Sequence, residues 1–240
     1  MIVWNPWHGC HKKSDGCLNC YMFARDATFG KNSNKIEKTK DYNLVVRKKR
    51  NGSYYVPIDE NVYVCLTSDF FIEEADAWRE YIWRCIRYRS DLHFYIITKR
   101  IERFKECILD NYGDGYDNLT IMCTIENQKV ADERLPIFLD LPIKHREIVC
   151  EPMLEKIDID KYLKSGLIEK VSVGGESGDK ARLCDYDWIL NMREQCINNK
   201  VSFYFKQTGA KFKKGNKIYN VARYNQMTQA EKANIDVDFK

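Results

Sequence analysis

Two hydrophobic patterns alternate along most of this chain. Short runs of nearly continuous apolar residues predict buried strands, and longer segments with apolar residues at helical spacing predict helices. The predicted strands are Ile2–Trp4, Val62–Leu66, His93–Thr98, Leu119–Ile125, Arg146–Cys150, Lys170–Val173 and Val201–Lys206. The predicted helices are Cys20–Phe29, Glu73–Arg89, Ile101–Leu109, Gln128–Leu139 and Asp185–Asn198.

Repeated strand–helix units with apolar strands indicate an α/β fold in which helices cover a parallel sheet. Six or seven such units favour a barrel or partial barrel over a flat, doubly wound sheet. In either architecture, functional groups gather at the carboxyl ends of the strands.

Two segments are expected at the periphery of this fold. Residues 43–57 predict a β-hairpin turning at Asn51-Gly52, a dipeptide that tolerates positive φ. Residues 211–240 predict a second hairpin near Gly215 and a short terminal helix that begins at a capping box of Thr228 and Glu231. We expect one domain, with the barrel in residues 1–210 and the tail packed against it.

Composition narrows the class of protein. The chain has 240 residues with 44% hydrophobic and 31% charged, which is ordinary for a globular domain, and its net charge of +4 permits a polyanionic partner without demanding one. No apolar run approaches the length of a membrane span, so no membrane association is expected. Ten cysteines without a secretory signal point to a reducing, cytoplasmic location.

Cys10, Cys17 and Cys20 lie together in the segment WNPWHGCHKKSDGCLNC near the amino terminus. Three thiolates in one loop can hold an iron–sulfur cluster, and a four-iron cluster held by three ligands keeps one iron open. A zinc site is the second interpretation, although structural zinc prefers two close pairs and only Cys17 and Cys20 form one. Unliganded thiols are the third.

Polar, charged or glycine residues follow the predicted strands. We expect them to meet at the end of the barrel where the carboxyl ends of the strands lie, which we call the mouth. They are Ser68, Asp69, Lys99, Arg100, Glu126, Glu151, Gly174, Gly175, Glu176, Lys206 and Gln207. Lys99 and Arg100 suit a carboxylate or phosphate, or else a salt bridge. Gly174 and Gly175 indicate close approach of the backbone to a ligand or a tight turn. Cys123 is either a hydrogen donor to substrate or a small buried core residue.

A basic segment, Arg47, Lys48, Lys49 and Arg50, lies near Tyr54 and Tyr55 in the predicted hairpin. Cations beside aromatic rings suit phosphates and bases, so DNA or RNA is a candidate substrate. A solvated sheet edge, protected from aggregation by its charges, explains the same residues.

The pattern W-N-P-W-x-G-C-x6-C-x2-C-Y resembles the signature of a phage-associated three-Cys-motif family of unknown function. Further blocks of the resemblance include Ser68-Asp69-Phe70, Glu126-Asn127-Gln128 and Glu151-Pro152. The blocks Ile97–Arg100, Gly174–Gly178 and Phe205–Gln207 extend it over nearly the whole chain.

That family in turn resembles radical S-adenosylmethionine (SAM) enzymes, including spore photoproduct lyase. The resemblance implies a partial (β/α) barrel of radical SAM type and a [4Fe–4S] cluster on Cys10, Cys17 and Cys20. It also implies SAM on the open iron, an oxygen-sensitive site, and a one-electron donor such as flavodoxin or ferredoxin. The implied reaction cleaves SAM to a 5′-deoxyadenosyl radical that abstracts hydrogen from a substrate.

The resemblance implies roles for Ser68, Asp69 and Glu126, and the positions of the other candidates in or after predicted strands or in the basic segment suggest theirs. Ser68 and Asp69 take the place where the superfamily binds the SAM amino group, and Glu126 stands where a ribose contact is expected. Lys99, Glu151, Gly174, Gly175 and Glu176 are further candidate cofactor contacts, and Cys123 and Glu151 are candidate catalytic residues. Candidate substrate contacts are Arg100, Lys206, Gln207 and Arg47–Arg50. The alternative is a non-catalytic protein whose fold is stabilised by zinc or an iron–sulfur cluster. Such a protein would bind nucleic acid or act as a phage accessory protein.

Overall fold

The main sheet of the protein is a curled, seven-stranded parallel sheet that forms a half-barrel, as seen in a computed structural model that describes residues 1–239. Its strands are β1 (Ile2–Trp4), β4 (Asn61–Val64), β5 (His93–Thr98), β6 (Leu119–Thr124), β7 (His145–Cys150), β8 (Lys170–Gly174) and β10 (Ser202–Gln207). They lie side by side in chain order, and every pairing is parallel. The expectation of an α/β partial barrel is therefore confirmed.

The connecting helices cover one face of this sheet, because successive parallel strands in chain order are joined by crossovers of one hand. The helices are α1 (Tyr21–Thr28), α2 (Asp76–Tyr88), α3 (Phe104–Cys107), α4 (Gln128–Leu139), α5 (Asp160–Leu163), α6 (Tyr186–Asn198) and α7 (Gln226–Ala233). Two of them begin at side-chain caps, since Asn127 accepts from the N–H of Val130 and Asp185 from that of Asp187. None of the helices in residues 1–239 has the length and apolar character needed to cross a bilayer.

The two faces of the sheet differ in burial. In β5, Phe94, Ile96 and Thr98 are buried beneath the helices, whereas His93, Tyr95 and Ile97 are only half-buried on the concave face. The apolar core therefore lies between the sheet and its helices, and the concave face is left partly open.

Smaller elements surround the half-barrel. Strands β2 (Trp7–His8) and β3 (Glu37–Lys38) form a short antiparallel pair beside the cysteine loop. Strand β9 (Leu183–Asp185) pairs with β11 (Lys211–Lys214), which forms the expected tail hairpin with β12 (Lys217–Asn220). The capping-box prediction is wrong: Thr228 lies inside α7, which continues from a 3₁₀ turn at Arg223–Asn225.

Candidate functional site: a clamped three-cysteine loop

The cysteine loop begins where β1 ends, at the carboxyl edge of the half-barrel, and runs directly into α1. Cys17 is buried at the end of a 3₁₀ turn, Asp15–Cys17, and Cys20 immediately precedes the first residue of α1. Cys10 and Cys20 are half-buried. The loop therefore lies at the edge where a parallel half-barrel presents its functional groups.

Four of the polar residues that follow strands bind this loop directly, and the first three are Ser68, Glu126 and Glu176. The Ser68 hydroxyl, after β4, donates to the carbonyl of Gly9 at 2.5 Å. The carboxylate of Glu126, after β6, accepts from the N–H of Gly16 at 3.1 Å. The carboxylate of Glu176, after β8, accepts from the side-chain amide of Asn19 at 3.0 Å. Strand ends far apart in sequence thus hold the loop at its beginning, middle and end.

Two arginines reinforce these contacts. We call Ser68, Glu126 and Glu176, together with Arg134 and Arg182, the clamp. Arg134, on α4, donates to Glu126 at 3.2 Å and to the hydroxyl of Ser14 at 3.0 Å. Arg182 donates to both carboxylate oxygens of Glu176, at 2.6 and 3.0 Å, and to the carbonyl of Asp15 at 2.9 Å. Its guanidinium and the amide of Asn19 hold the pKa of the Glu176 carboxyl below its usual range, against the opposing effect of burial.

Arg100 is the arginine nearest to a cysteine sulfur. Its Nη1 lies 3.9 Å from Cys10 Sγ, and its Nη2 donates to the carbonyl of His11 at 2.7 Å. The carboxylate of Asp69 lies 3.5 Å from the same guanidinium. Arg100 is buried, so it joins the ends of two strands to the first cysteine of the loop.

The carboxylate of Asp69 is fully used in hydrogen bonds that stabilise the fold. It accepts from the hydroxyl of Thr98 at 2.8 Å and from the backbone N–H groups of Lys99 and Phe71 at 2.9 and 3.0 Å. Because Asp69 is only 5% exposed, these contacts fix the ends of β4 and β5 beneath the loop. Asp69, Ser68, Glu126 and Glu176, all candidate contacts of SAM, thus have protein partners in this structure.

The electrostatic surroundings keep the Cys10 thiol protonated. Burial, followed by the charge of Asp69, raises the pKa of Cys10 to about 12 against the opposing charge of Arg100. Cys17 and Cys20 also raise this pKa, so the three thiols interact electrostatically. Binding a metal would have to displace a proton from Cys10.

The donor set fits a thiolate-bound metal by its chemistry: three cysteines share one clamped loop, with a guanidinium beside one sulfur. Within residues 1–239, however, no group of three or more His, Cys, Asp or Glu side chains is arranged to hold a metal ion. A bound metal would therefore require the thiols to turn toward one another.

The remaining mouth residues fall into two sets. Lys99 is half-buried, and its ammonium has no hydrogen bond or ion pair within residues 1–239, so it remains a cation available to a ligand. Glu151 pairs with Lys206 at 2.5 Å, and Gln207 donates to the carbonyl of Gly175 at 2.8 Å. The Glu151–Lys206 pair and Gln207 therefore lie at the side of the mouth formed by the ends of β7 and β10.

The two glycines after β8 are explained by packing within the chain. A Cβ at Gly175 would lie 2.2 Å from the carbonyl oxygen of Thr208. A Cβ at Gly174 would lie 3.1 Å from the side chain of Gln207 and 3.3 Å from that of Glu151. Close approach does require glycine here, and its partners in this structure are protein atoms.

Cys123 lies on the helix side of the sheet, paired in register with the buried Thr98. Burial raises the pKa of its thiol to about 12, against the opposing charges of Arg134 and Lys99. Its position fits the interpretation of Cys123 as a core residue, and it does not face the concave side.

The basic hairpin lies at the other end of the molecule, and in place of the predicted pair of strands it has a 3₁₀ turn at Leu44–Val46 and a single bridge between Lys48 and Tyr54. Arg89, which directly follows α2, donates to the carbonyls of Val45 and Val56 and thereby fixes the hairpin near the amino-terminal end of β5. Lys48, Lys49 and Arg50 are exposed, and the Lys48 ammonium lies 5.0 Å from the centre of the Tyr54 ring. The structure does not bring Arg47–Arg50 together with the cysteine loop.

Sequence reasoning missed the concave face of the sheet. Tyr63, Tyr95, Glu147, Ser172 and Tyr204 occupy alternate positions within strands that read as continuous apolar runs. The available signal was one such phenolic, charged or hydroxyl residue within each of these five strands.

Residues 2–236 match the family described as protein of unknown function DUF5131, and the chain belongs to that family. No curated protein and no solved structure matches the chain. The protein is therefore an α/β half-barrel of an uncharacterised family, with a three-cysteine loop that the clamp holds in place.

Proposed function

We propose that this protein is a radical SAM enzyme that carries a [4Fe–4S] cluster on Cys10, Cys17 and Cys20. The observation that carries the proposal is the clamp, in which residues from several strand ends and helices hold one cysteine-rich loop over the mouth of a parallel half-barrel. A loop needed only to connect β1 with α1 would not require buried charged partners. The phage-associated resemblance agrees with this proposal.

When bound, the cluster would supply an electron to the sulfonium of SAM, the chemistry that yields a 5′-deoxyadenosyl radical. The chain's own residues hold and enclose the reactants. The Arg100 guanidinium would offset the negative charge of the Cys10 thiolate, since a neighbouring cation favours the ionised thiol. Among the candidate contacts at the mouth, Lys99 is the one cation that has no ion pair with any residue in the described range 1–239, which suits the carboxylate of SAM.

Glu151, Lys206 and Gln207 would line the substrate side of the mouth, and the buried clamp would keep the loop from opening to water. A one-electron donor such as flavodoxin or ferredoxin is required, in keeping with a reducing, cytoplasmic location. Consumption of SAM is the direct test. Reconstituted, dithionite-reduced protein should release 5′-deoxyadenosine, and the Cys17→Ser variant should release none.

Cys107→Ser is the matched control, because Cys107 is a buried thiol at the end of α3, remote in sequence from the loop. It should release as much 5′-deoxyadenosine as the wild type. Equal release from wild type and Cys17→Ser, or none from fully loaded wild type, would refute the proposal.

The alternative is a non-catalytic, metal-stapled protein that binds nucleic acid. The observation in its favour is the hairpin, where Arg47 lies 4.8 Å from the ring of Tyr55 and Lys48 lies beside Tyr54. In the part of the chain that the structure describes, Lys48, Lys49 and Arg50 have no ion pair. Salt-sensitive binding of DNA or RNA that is lost when Lys48, Lys49 and Arg50 become alanine, without SAM cleavage, would favour this alternative.

A further inference from the structure

The concave face of the half-barrel carries phenols and charged groups where a closed barrel has packed, branched apolar side chains. Tyr63 on β4 and Tyr95 on β5 are register partners, and their rings stack with centroids 4.8 Å apart and planes 14° apart. Both are half-buried, as is Tyr204 on β10. The face therefore offers flat aromatic surface within a partly enclosed space.

Glu147 lies on this same face, in register between Met122 on β6 and Lys170 on β8. The residue is only 6% exposed. Its Oε1 accepts from the Lys170 ammonium at 3.0 Å, whereas Oε2 is buried and has no hydrogen-bond partner among residues 1–239. A buried carboxylate oxygen without a donor is costly, so this atom marks a position where a donor is missing.

The tyrosines and Glu147 share one space. The pKa of the Tyr63 phenol is raised by burial first and then by Tyr95, Glu147, Glu151 and Tyr204. These residues belong to the second, third, fifth and seventh strands in sheet order or directly follow them. The register pairings place Tyr63, Tyr95, Glu147 and Tyr204 on the concave face of the curled sheet, and we call the space that this face borders the interior.

We propose that this interior binds a flat heteroaromatic ring of the nucleobase class, whose N–H or amino group donates a hydrogen bond to Oε2 of Glu147. Lys170 already compensates the charge of Glu147, so the missing partner is a neutral donor rather than a second cation. A planar ring bearing such a donor also matches tyrosine rings, which favour stacked or edge contacts.

This inference deepens the proposed function by naming a substrate class, but it rests on the sheet alone. Binding is therefore measured on cluster-free protein by calorimetry with cytidine, guanosine and uridine as separate probes. Adenosine is left out because SAM carries the same base. At least one probe should bind, and Glu147→Gln should weaken it about ten- to hundredfold, as loss of a hydrogen bond to a charged group does.

The matched control is Glu169→Gln, an exposed carboxylate that pairs with His145 and precedes β8. It should bind the probe as tightly as the wild type. Tyr95→Leu should weaken binding about tenfold by removing one ring of the stack. No binding of any probe by folded wild type, equal affinity of wild type and Glu147→Gln, or displacement of the probe by SAM would overturn the proposal.

A second measurement needs no variant. Carbon-13 NMR of the labelled Glu147 carboxyl should show its pKa falling when the bound ring donates to Oε2, because hydrogen bonding favours the ionised form. An unchanged Glu147 titration with saturating probe would overturn the proposal. If SAM cleavage fails while these effects hold, the radical SAM proposal falls and the ring-binding site stands.

Discussion

Glu126 and Gly16, separated by 110 residues of chain, are joined by a 3.1 Å hydrogen bond from the backbone N–H of Gly16 to the Glu126 carboxylate. The carboxylate is fully buried, and its other oxygen accepts from Arg134. A Cβ at Gly16 would lie 3.1 Å from this side chain, so glycine permits the contact. The middle of the cysteine loop is thus fixed to the end of β6.

Replacing Glu126 by alanine should destabilise the fold strongly. Arg134 is itself buried, and removing its partner leaves an uncompensated guanidinium, which costs about 3–5 kcal/mol. Urea unfolding measures the change. Glu133→Ala is the control, because Glu133 lies on the same helix as Arg134 but is exposed, 3.9 Å from Lys129. This variant should lower the free energy of unfolding by less than about 0.5 kcal/mol. Similar costs for the two variants would show that the clamp contributes little.

Gly9→Ala should unfold the start of the cysteine loop, whereas Gly30→Ala should be mild. Both glycines have positive φ, at +98° and +62°, so both substitutions add backbone strain. Only at Gly9 would the added Cβ lie 2.3 Å from the carbonyl oxygen of Lys35. We expect a loss of about 3 kcal/mol or more for Gly9→Ala and about 1 kcal/mol for Gly30→Ala.

Thermal unfolding of the two variants separates strain from crowding. Similar melting temperatures would mean that the loop can shift away from Lys35, and the steric argument would fail.

Arg100→Lys should keep the positive charge near Cys10 but lose the fork, that is, the fixed arrangement of N–H donors on the guanidinium. Lysine has one ammonium and cannot serve the His11 carbonyl, the Cys10 sulfur and Asp69 together as the guanidinium does. We expect a stability loss of about 1–3 kcal/mol and less iron per chain after reconstitution. Arg84→Lys, at an exposed pair with Glu80, is the control and should change neither quantity. Iron content equal to wild type in Arg100→Lys would exclude a role for the fork.

Glu147 should make the fold less stable as pH rises. Burial raises the pKa of this carboxyl above its ordinary value, although Lys170 opposes the shift. The folded state therefore holds the proton more tightly than the unfolded chain, and the resulting stabilisation is complete below about pH 4.3 and lost as pH rises through the folded pKa. Denaturant unfolding across this range should show a shallower decline for Glu147→Gln than for wild type. Parallel pH profiles would contradict the assignment.

Much of the fold could be predicted because the strands read as apolar runs and the helices as amphipathic segments. The helix predicted at Gln128–Leu139 has those bounds in the structure, and its start is fixed locally by the Asn127 cap. The start of α7 was missed because Thr228 and Glu231 match a cap pattern that an earlier 3₁₀ turn overrides.

The convergence of polar strand ends on one mouth could also be predicted, because parallel strands bring their carboxyl ends to the same edge. The hydrogen-bond partners of these residues could not be predicted, because the contacts of Glu126 with Gly16 and of Glu176 with Asn19 join segments more than 100 residues apart. The position of the basic hairpin depends likewise on Arg89, whose contacts no local pattern encodes. Tyr63 and Tyr95 were hidden within apolar strands, where a phenol reads as core.

The central claim is that Cys10, Cys17 and Cys20 hold a [4Fe–4S] cluster with one iron open to SAM. Protein reconstituted anaerobically with iron and sulfide, then reduced with dithionite, is examined by EPR with and without SAM. We predict a reduced [4Fe–4S] signal that changes when SAM is added and is absent from Cys10→Ser, Cys17→Ser and Cys20→Ser. Stoichiometric zinc in place of iron, or a cluster signal that any one of these variants retains in full, would contradict the account.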